Sequence, residues 1–458
     1  MNQLERGFMV LVVLVAAALA GVVVGPVSGD VDRSIGSPSA PAPTTFESVD
    51  VAGVAVVDGT QYSSAQDAID AASAGSTVVL RGRFDEHVEV TTADITIKSA
   101  AGSLAVLDGS GEGNVLTVNA SNVTVRRVWV RNSGFDTSEN DAGVWVDAPN
   151  VSFIDSRVTA ATFGIWVDGV NHVTLRNNTI VGRESVTPRS YRGNGIQLWK
   201  TSETRVIGNR ITDARDGIYY SWSSDVVARG NELWDLRYGV HYMYSDYNTL
   251  ENNTAFDNDV GFALMLSEEL TVANNTAINN TGTSGHGILL KRIDDSTVRG
   301  NVLVGNTRGI YALNSVRDSL VGNLFLENRI GLHMTAGTAD EHVVENSFVH
   351  NGQPVLAVTG SLHAWNGSGT GNYWSGARTA DLNDDGVSEL RYRPAGLVEL
   401  LVLEHPAAAV FAQSPAFKAI RRAERTLPVL DTPGVVDYHP LTTAPHDWRQ
   451  YYERNRDN

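Results

Sequence analysis

The sequence predicts an all-β protein whose body is a right-handed parallel β-helix, a solenoid with coils of about 22 residues. A glycine followed by an apolar residue recurs in one register, and a column of asparagines repeats with the same phase. Between them lie short alternating segments such as "GIYYSW" and "LTVANNT", without long runs at helical spacing. The glycine column comprises Gly143, Gly164, Gly195, Gly217, Gly239, Gly261, Gly287, Gly309 and Gly331; the asparagine column comprises Asn178, Asn209, Asn231, Asn253, Asn275, Asn301, Asn323 and Asn346. Asparagine tolerates left-handed corners, and stacked amides can form hydrogen-bonded ladders.

The first 29 residues are predicted to be an export signal or a membrane anchor. The run "GFMVLVVLVAAALAGVVVG" is almost continuously apolar, and the low-complexity stretch "GSPSAPAPTT" follows it. An export signal within residues 1–29 could be cleaved after the "ALA" of residues 18–20, whereas the length of the run also permits an uncleaved anchor. With residues 30–49 as a linker, both alternatives export the rest of the chain to a periplasm or to the outer cell surface.

Residues 50–365 are predicted to form the β-helix, with a short helix capping its first coil. The apolar residues of the capping segment recur at helical spacing: Ala65, Ala68, Ile69 and Ala72. Gly75 is a natural end for such a helix. The helix would cover the unpaired strand edge and the apolar interior at the open end of the solenoid.

The glycine column also predicts which side chains face outward. Side chains alternate along a strand, so the first and third residues after each glycine face the interior, and the second and fourth face out. First-position residues such as Ile218 and Ile310 are uniformly apolar, whereas the outward positions are richer in Trp, Tyr, His and Met than a solvated sheet needs. We name the outward positions the outer strip. Its candidate ligand or partner contacts are Trp145, Trp166, Trp199, Tyr219, Tyr311 and His333.

One part of the outer strip could bind a soft metal ion. The stretch "VHYM" places His241 and Met243 on one outward face, and Met265 occupies the equivalent position one coil later. Neighbouring coils lie about 4.8 Å apart, so one imidazole and two thioethers could converge on one ion, and this ligand set favours copper, especially Cu(I). Two alternatives stay open: the methionines fill gaps in a packed surface, or the strip forms a groove for an extended ligand. Met334 is predicted to point inward, and His333 lies too many coils away to share the ion.

The groove alternative corresponds to a carbohydrate-active enzyme, a polysaccharide lyase or an epimerase acting on extracellular glycans. Outward aromatic residues along a β-helix can hold sugar chains, and Asp147, Asp168 and Lys291 could supply acid and base groups. Against this alternative, the acidic residues of the outer strip do not cluster beside a Lys, Arg or His.

Residues 366–396 form a separate segment with an Asp-rich loop. Asp381, Asn383, Asp385 and Glu389 have the alternate spacing at which side-chain oxygens reach one hard cation, so the loop predicts bound calcium. The alternative is an Asx-rich turn whose side chains hydrogen-bond to their own backbone.

Residues 397–445 are predicted to contain a C-terminal helix and a docking tail, and residues 446–458 a polar tail. Ser414 is a suitable N-cap, and Pro415 suits the first turn. Residues at helical spacing follow: Phe417, Ile420, Glu424 and Leu427. The helix either packs across the last coil or contacts a membrane-embedded permease, and both can hold.

The composition excludes several classes of function. Without cysteine the chain has neither disulfides nor a thiolate metal site. Its formal net charge is -17, and only four of its 35 basic residues are lysines, which favours a salt-adapted, halophilic source. We expect no nucleic-acid partner, because no basic patch is available to neutralise phosphates.

Several segments together resemble the NosD family, over roughly residues 50–445. They are the N-terminal signal, the coils with "NNT" and "GI" columns, the motif "GNYWS" with its Asp-rich loop, and the closing "PGVVDYHPL". The resemblance implies an exported, non-catalytic, copper-binding β-helix protein that assembles the copper centres of nitrous oxide reductase. It implies three partners, an ABC transporter permease, a copper chaperone and the reductase, so we expect membrane association through them and through any uncleaved anchor. It transfers no defined copper ligands, so the His241, Met243 and Met265 site rests on the residues alone.

Overall fold

The computed structural model describes residues 35–39, 51–102, 104–335, 337–359, 361–367, 369–396, 398, 401–402, 405–411, 414–426 and 433–453. The expected signal or anchor at residues 1–29 lies outside the described residues, as does the linker apart from residues 35–39. Within the described part, no helix has both the length and the apolar character to cross a membrane.

Short strands account for most of the regular structure. The first fourteen are β1 (Val54–Val57), β2 (Thr60–Tyr62), β3 (Thr77–Arg81), β4 (Arg83–Phe84), β5 (Val88–Val90), β6 (Thr96–Ser99), β7 (Ala105–Asp108), β8 (Leu116–Val118), β9 (Thr124–Arg126), β10 (Val128–Arg131), β11 (Ala142–Val146), β12 (Ser152–Ile154), β13 (Arg157–Thr159) and β14 (Phe163–Asp168). The next fourteen are β15 (Thr174–Arg176), β16 (Thr179–Val181), β17 (Ile196–Trp199), β18 (Arg205–Ile207), β19 (Arg210–Thr212), β20 (Asp216–Ser221), β21 (Val227–Arg229), β22 (Glu232–Trp234), β23 (Tyr238–Met243), β24 (Thr249–Glu251), β25 (Thr254–Phe256), β26 (Val260–Glu268), β27 (Thr271–Ala273) and β28 (Thr276–Ile278).

The remaining strands are β29 (His286–Asp294), β30 (Thr297–Arg299), β31 (Val302–Val304), β32 (Arg308–Leu313), β33 (Ser319–Val321), β34 (Leu324–Leu326), β35 (Ile330–Met334), β36 (His342–Val344), β37 (Ser347–Val349), β38 (Gln353–Ala357), β39 (Leu362–Ala364), β40 (Tyr373–Trp374), β41 (Tyr392–Ala395) and β42 (Gly434–Asp437). The helices with described bounds are α1 (Ala65–Asp70), α2 (Pro415–Thr426) and α3 (Gln450–Glu453), with 3-10 helices at Arg189–Tyr191 and Pro406–Phe411.

The strands form three long sheets, and the predicted parallel β-helix is confirmed. The first sheet has 14 strands from β2 to β36, the second has 13 from β4 to β40, and the third has 12 from β5 to β38. Beyond β3, strand numbers within each sheet rise by three from one coil to the next, because every coil gives one strand to each sheet. All of these pairs are parallel except β1 with β2 and β1 with β3.

The predicted register is also confirmed. The first-position residues stack directly on one another, as Ile196, Ile218 and Val240 do, and each of these three is 0% exposed. Third-position residues face the same interior, where the rings of Tyr220 and Tyr242 pack with centroids 4.2 Å apart. Met334 is buried in this core, as predicted.

The asparagine column forms the expected ladder inside the solenoid. Asn231 Nδ2 donates to Asn253 Oδ1 at 2.8 Å, and Asn253 Nδ2 donates to Asn275 Oδ1 at 3.0 Å. The ladder continues through Asn372 of the "GNYWS" motif. One detail of the prediction is wrong: the left-handed backbone angle occurs one residue earlier, as at Asn252, because the column residue itself must turn its amide inward.

Both ends of the described solenoid carry added elements. The capping helix α1 is confirmed: Ser64 Oγ accepts from the Asp67 amide at 3.1 Å, and Ala65, Ala68 and Ile69 are buried. The predicted C-terminal helix α2 is likewise present, with Ser414 at its start and Phe417 buried. Helix α2 lies against β41, which forms a small sheet with β42 and β39. The side chain of Glu424 and all of Leu427 lie outside the described residues.

Two separate chain segments cover the outer face of the second sheet. Ile35 and Trp448 belong to an apolar cluster that includes Trp234, Phe256 and Ile278 of that sheet. Asn279 Nδ2 also donates to the carbonyl oxygen of Ile35 at 2.9 Å. The outer strip lies on a different sheet, the third, so these segments leave it uncovered.

Candidate functional site

The outer strip runs along the outer face of the third sheet, and its first part is aromatic. Trp145 of β11 and Trp166 of β14 stack with ring centroids 5.2 Å apart and planes inclined by 7°. Phe163 packs edge-on against Trp166, and Trp199 of β17 joins the same cluster. The structure therefore brings the three predicted tryptophans together in one apolar cluster, in which Trp166 is buried and Trp145 and Trp199 are half-buried.

Further along the strip, His241 lies in a compact polar cluster. Its Nδ1 is 3.1 Å from Oδ2 of Asp216, and Arg237 donates to both oxygens of that carboxylate, at 2.8 and 2.5 Å. The rings of Tyr219 and Tyr238 stand edge-on to the imidazole at 4.7 and 5.0 Å. These contacts leave His241 only 7% exposed although it lies on the outer face.

The other ring nitrogen of His241, Nε2, is buried and has no hydrogen-bond partner in the part of the chain that the structure describes. A neutral imidazole has one N–H donor and one nitrogen with a lone pair. Because Nδ1 must be the donor to the Asp216 carboxylate, the lone pair of the neutral ring lies on Nε2. A carboxylate on one imidazole nitrogen and a vacant lone pair on the other is the arrangement seen at metal-binding histidines.

The charge state of Asp216 supports this orientation. Complete burial by itself raises the pKa of Asp216, but hydrogen bonds from His241 and Arg237 outweigh burial and hold that pKa below its ordinary value. Asp216 is therefore an anion at neutral pH. The hydrogen bonds and the charge of the anion also raise the pKa of Arg237, against the effect of its own burial.

The sequence reading missed Asp216 because it counted only positions after each glycine. In the pairing of β20 with β23, Asp216 lies opposite Tyr238 and Ile218 lies opposite Val240, but Gly217 and Gly239 are not paired. The regular alternation of side chains is therefore interrupted at each column glycine. As a result, the residue before the glycine lies on the outer face. The available signal was an aspartate directly before a column glycine, in "ARDGIYY".

Met243 and Met265 lie opposite each other on β23 and β26, as predicted, and both are half-buried. His241 precedes Met243 by two residues on the same face, so the three candidate copper ligands occupy neighbouring positions. Met265 also packs against Val260, Ala263 and Leu289, which is what the packing alternative expects. The ligand assignment therefore stays a prediction.

A second cluster contains two buried histidines. The Tyr311 ring lies between His286 at 4.9 Å and His333 at 4.7 Å, and Arg308 Nε donates to His333 Nδ1 at 3.0 Å. Burial, and then the charge of Arg308, lower the pKa of His286 to about 3 and that of His333 to about 4. Both imidazoles are neutral at pH 7. The sequence reading named Tyr311 and His333 but missed His286, which also directly precedes a column glycine.

The residues considered for glycan chemistry are dispersed. Asp147 and Lys291 are exposed and Asp168 is half-buried; Asp168 lies on β14, Lys291 lies on β29, and Asp147 directly follows β11. The sequence argued against a glycan enzyme because the acidic residues of the outer strip do not cluster with basic groups, and this holds for Asp147 and Asp168. It does not apply to the whole face, because Asp216 contacts both Arg237 and His241.

The side chains of the Asp-rich loop bind its own backbone. Asp381 accepts from the amides of Asp385 and Gly386 at 3.2 and 2.9 Å, and Glu389 accepts from the amide of Leu382 at 3.0 Å. This is the geometry of the Asx-rich alternative. Across the described residues, no three His, Asp or Glu side chains are grouped to hold a metal ion, so calcium at this loop stays a prediction.

The two motifs that carry the family resemblance meet in space. Trp374 Nε1 of "GNYWS" donates to Asp437 Oδ2 of "PGVVDYHPL" at 2.8 Å, and the Asn372 amide donates to the same oxygen at 2.7 Å. Asp437 is fully buried. These motifs therefore close the end of the solenoid and lie apart from the outer strip.

Comparisons with known proteins bear on the family. The family described as "Periplasmic copper-binding protein (NosD)" matches residues 176–378. A Pseudomonas aeruginosa protein named "Probable ABC transporter binding protein NosD" is 38% identical over 357 residues, covering 74% of this chain and 82% of the relative. A Stutzerimonas stutzeri protein of the same name is 36% identical over 358 residues, covering 74% and 81%.

Solved structures with a similar fold include two epimerases. The crystal structure of the periplasmic alginate epimerase AlgG is 13% identical, covers 66% of this chain and 82% of its own, and has a TM-score of 0.40. The Azotobacter vinelandii mannuronan C-5 epimerase AlgE6 A-module is 16% identical, covers 60% and 93%, and has a TM-score of 0.45. At such values these structures carry no argument about activity.

Proposed function

Because this chain belongs to the NosD family, we propose that it is an exported copper-binding accessory protein that works with an ABC transporter to assemble the copper centres of nitrous oxide reductase. The names of the two relatives support the transporter partnership, since both are described as binding proteins of such a transporter. A copper chaperone and the reductase complete the proposed set of partners. The Asp-rich loop adds a proposed calcium site near the end of the solenoid.

One observation carries the copper proposal: the buried, unpartnered Nε2 of His241 on an imidazole that is oriented by Asp216. Met243 and Met265 lie beside it in register and would add two thioethers. Imidazole with thioethers suits Cu(I) and disfavours hard cations such as Mg²⁺. The donor set therefore fits copper as a cargo.

Each neighbouring residue has a defined part in this proposal. Asp216 holds the proton on Nδ1 of His241, and Arg237 keeps Asp216 ionised. Tyr219 and Tyr238 fix the plane of the imidazole from two sides and exclude water from it. The half-exposed methionines leave one side of the site open, as a protein that accepts and releases cargo requires.

The test is an anaerobic Cu(I) titration of the full chain against a competing chelator. We expect one site per chain, abolished in Met243→Leu and weakened in His241→Gln, while Zn²⁺ competes poorly. Leucine keeps most of the volume of methionine, so the fold should survive. Met334→Leu is the matched control, because the same change is made at a methionine inside the core. Parent-like binding by the His241→Gln, Met243→Leu double variant would reject the site.

The second candidate is a polysaccharide lyase or epimerase, and one observation favours it. Asp216, His241 and Tyr219 form an acid and base cluster on the same face as the stacked Trp145 and Trp166. Turnover of alginate or another uronate polymer by the purified chain, lost in His241→Gln, would establish this function instead. Absence of turnover, together with copper binding, supports the accessory role.

A further inference from the structure

Two carboxylates stack inside the solenoid on the last two turns of the first sheet. Strands β33 and β36 pair with Ser319 opposite His342, so the preceding residues, Asp318 and Glu341, occupy equivalent places on successive coils. Such places are about 4.8 Å apart. Asp318 is only 1% exposed, and Glu341 is half-buried.

Three of their four carboxylate oxygens lack a hydrogen-bond partner among the described residues. Asp318 Oδ1 accepts from the Ser296 amide at 2.9 Å, but Asp318 Oδ2 is buried without a partner. Both carboxylate oxygens of Glu341 are likewise buried without one. The Asp318 amide is near enough to lower the pKa of Glu341, yet it forms no hydrogen bond of ordinary geometry with either oxygen.

Earlier coils show that the fold does not need charge at these places. Asn248 Oδ1 accepts from the Val226 amide at 2.9 Å, and Ser296 Oγ accepts from the Leu270 amide at 2.9 Å. A neutral side chain therefore satisfies the amide of the preceding coil. Two successive carboxylates at such places repel each other, and they form no hydrogen bond to the preceding coil that a neutral side chain could not form.

No described cation neutralises this pair. Arg317, the nearest basic residue in sequence, uses Nε and Nη2 to bind both oxygens of Asp295, at 2.7 and 2.5 Å. The other charges that act on the pair are acidic: Asp294, Asp295 and Asp340. Burial, followed by the charge of Asp318 and then those of Asp294 and Asp340, raises the pKa of Glu341 to about 9. Burial, with the charges of Asp294 and Asp295, raises the pKa of Asp318 to about 7, against the hydrogen bond from the Ser296 amide and the charge of Arg317. Buried carboxylates are expected to be protonated, paired or bound to a cation.

We propose that Asp318 and Glu341 bind a hard divalent cation, Ca²⁺, between the last two turns of the first sheet. Ca²⁺ takes six to eight oxygen ligands in flexible geometry, so the three free carboxylate oxygens supply part of its shell and water supplies the rest. The half-buried Glu341 provides the route from solvent. The ion would join the final coils at the place where the first sheet ends with β36.

The test is calorimetric Ca²⁺ titration of the full chain carrying Asp381→Asn and Asp385→Asn, so that the Asp-rich loop does not contribute. We expect one Ca²⁺ per chain in this background, with affinity lowered roughly tenfold or more by Asp318→Asn and by Glu341→Gln. Asparagine retains an Oδ1 acceptor for the Ser296 amide, so the fold should persist. Asp340→Asn is the control, because it removes an exposed neighbouring carboxylate at a left-handed position that asparagine tolerates.

Two results would overturn the proposal. In the first, the background binds no Ca²⁺, or binds it equally well after both substitutions. In the second, Asp318→Asn and Glu341→Gln each raise the melting temperature in the absence of Ca²⁺, and Ca²⁺ does not change the melting temperature of the parent. This result would identify two carboxyl groups that share a proton. Copper titration is independent of both outcomes, so failure here leaves the accessory function untouched.

Discussion

His241 Nδ1 lies 3.1 Å from Asp216 Oδ2, although the two residues belong to successive coils of the third sheet. The contact exists because the residue before one column glycine and the second residue after the next one share the outer face. It fixes the tautomer of the imidazole, and Nε2 has no partner among the residues with described positions. The strongest feature of the candidate site therefore depends on one contact between coils.

We expect Asp216→Asn to weaken Cu(I) binding about 10- to 100-fold without abolishing it, since an amide orients the imidazole less well than a carboxylate. The variant should also lose about 2–3 kcal/mol of unfolding free energy, because Arg237 loses its buried anion. Competition titration and chemical denaturation measure the two effects. Asp168→Asn on the same face should change neither, and parent-like copper affinity in Asp216→Asn would remove Asp216 from the site.

Ile218→Asp and Ile310→Asp should each cost several kcal/mol of unfolding free energy. Both residues are 0% exposed, so each change buries an unpaired carboxylate against stacked apolar neighbours. Thermal melting and circular dichroism measure the loss. Lys291→Asp introduces the same side chain at an exposed position of the third sheet and should be tolerated far better. Equal melting of all three variants would contradict the register.

Chelator should lower the melting temperature at constant ionic strength if the Asp-rich loop binds calcium, because a ligand bound only to the folded state stabilises it by mass action. Asp381→Asn should reduce this response and weaken calcium binding in the purified protein. Repeating the measurement in the Asp318→Asn variant distinguishes calcium bound by the Asp-rich loop from calcium bound by Asp318 and Glu341. A chelator response unaffected by Asp381→Asn leaves the loop as a self-bonded turn, the arrangement in which Asp381 accepts two backbone amides.

The buried histidines should make the protein sensitive to acid. The pKa values of His286 and His333 are lowered to about 3 and about 4, so at pH below 6.5 the unfolded chain binds protons that the folded chain does not. Their stabilising effect is complete above pH 6.5 and falls as pH drops toward the folded values, by about 2 kcal/mol per histidine at pH 5.

Denaturation of the parent and of the His286→Gln, His333→Gln double variant across this pH range tests the expectation. The difference in unfolding free energy between the two should change with pH below 6.5 and stay constant above it. A difference that does not vary with pH would show that the two imidazoles are not held neutral.

The sequence predicted those structural features that recur in every coil. The solenoid, the interior column through Ile218, the asparagine ladder and the stacking of Met243 on Met265 all follow from a period that every coil obeys. The capping helix α1 and the start of α2 at Ser414 were also predictable, because capping and apolar spacing act within a few residues. The left-handed position was displaced by one residue, since the pattern does not show which of two adjacent asparagines turns inward.

The sequence by itself determined the architecture, the inward and outward columns, and the membership of His241, Met243 and Met265 in one outward strip, because strand alternation and coil stacking are periodic and local. Only the tertiary structure decided that Asp216 and Arg237 join His241 and that His286 faces Tyr311. It also decided that Asp318 and Glu341 are buried on successive coils without a counterion among the described residues. Each of these contacts depends on where the chain departs from strict alternation at the column glycines, or on which neighbours lie within hydrogen-bonding distance across coils. Such distances are set by the packing of whole coils, and no repeat length in the sequence specifies them.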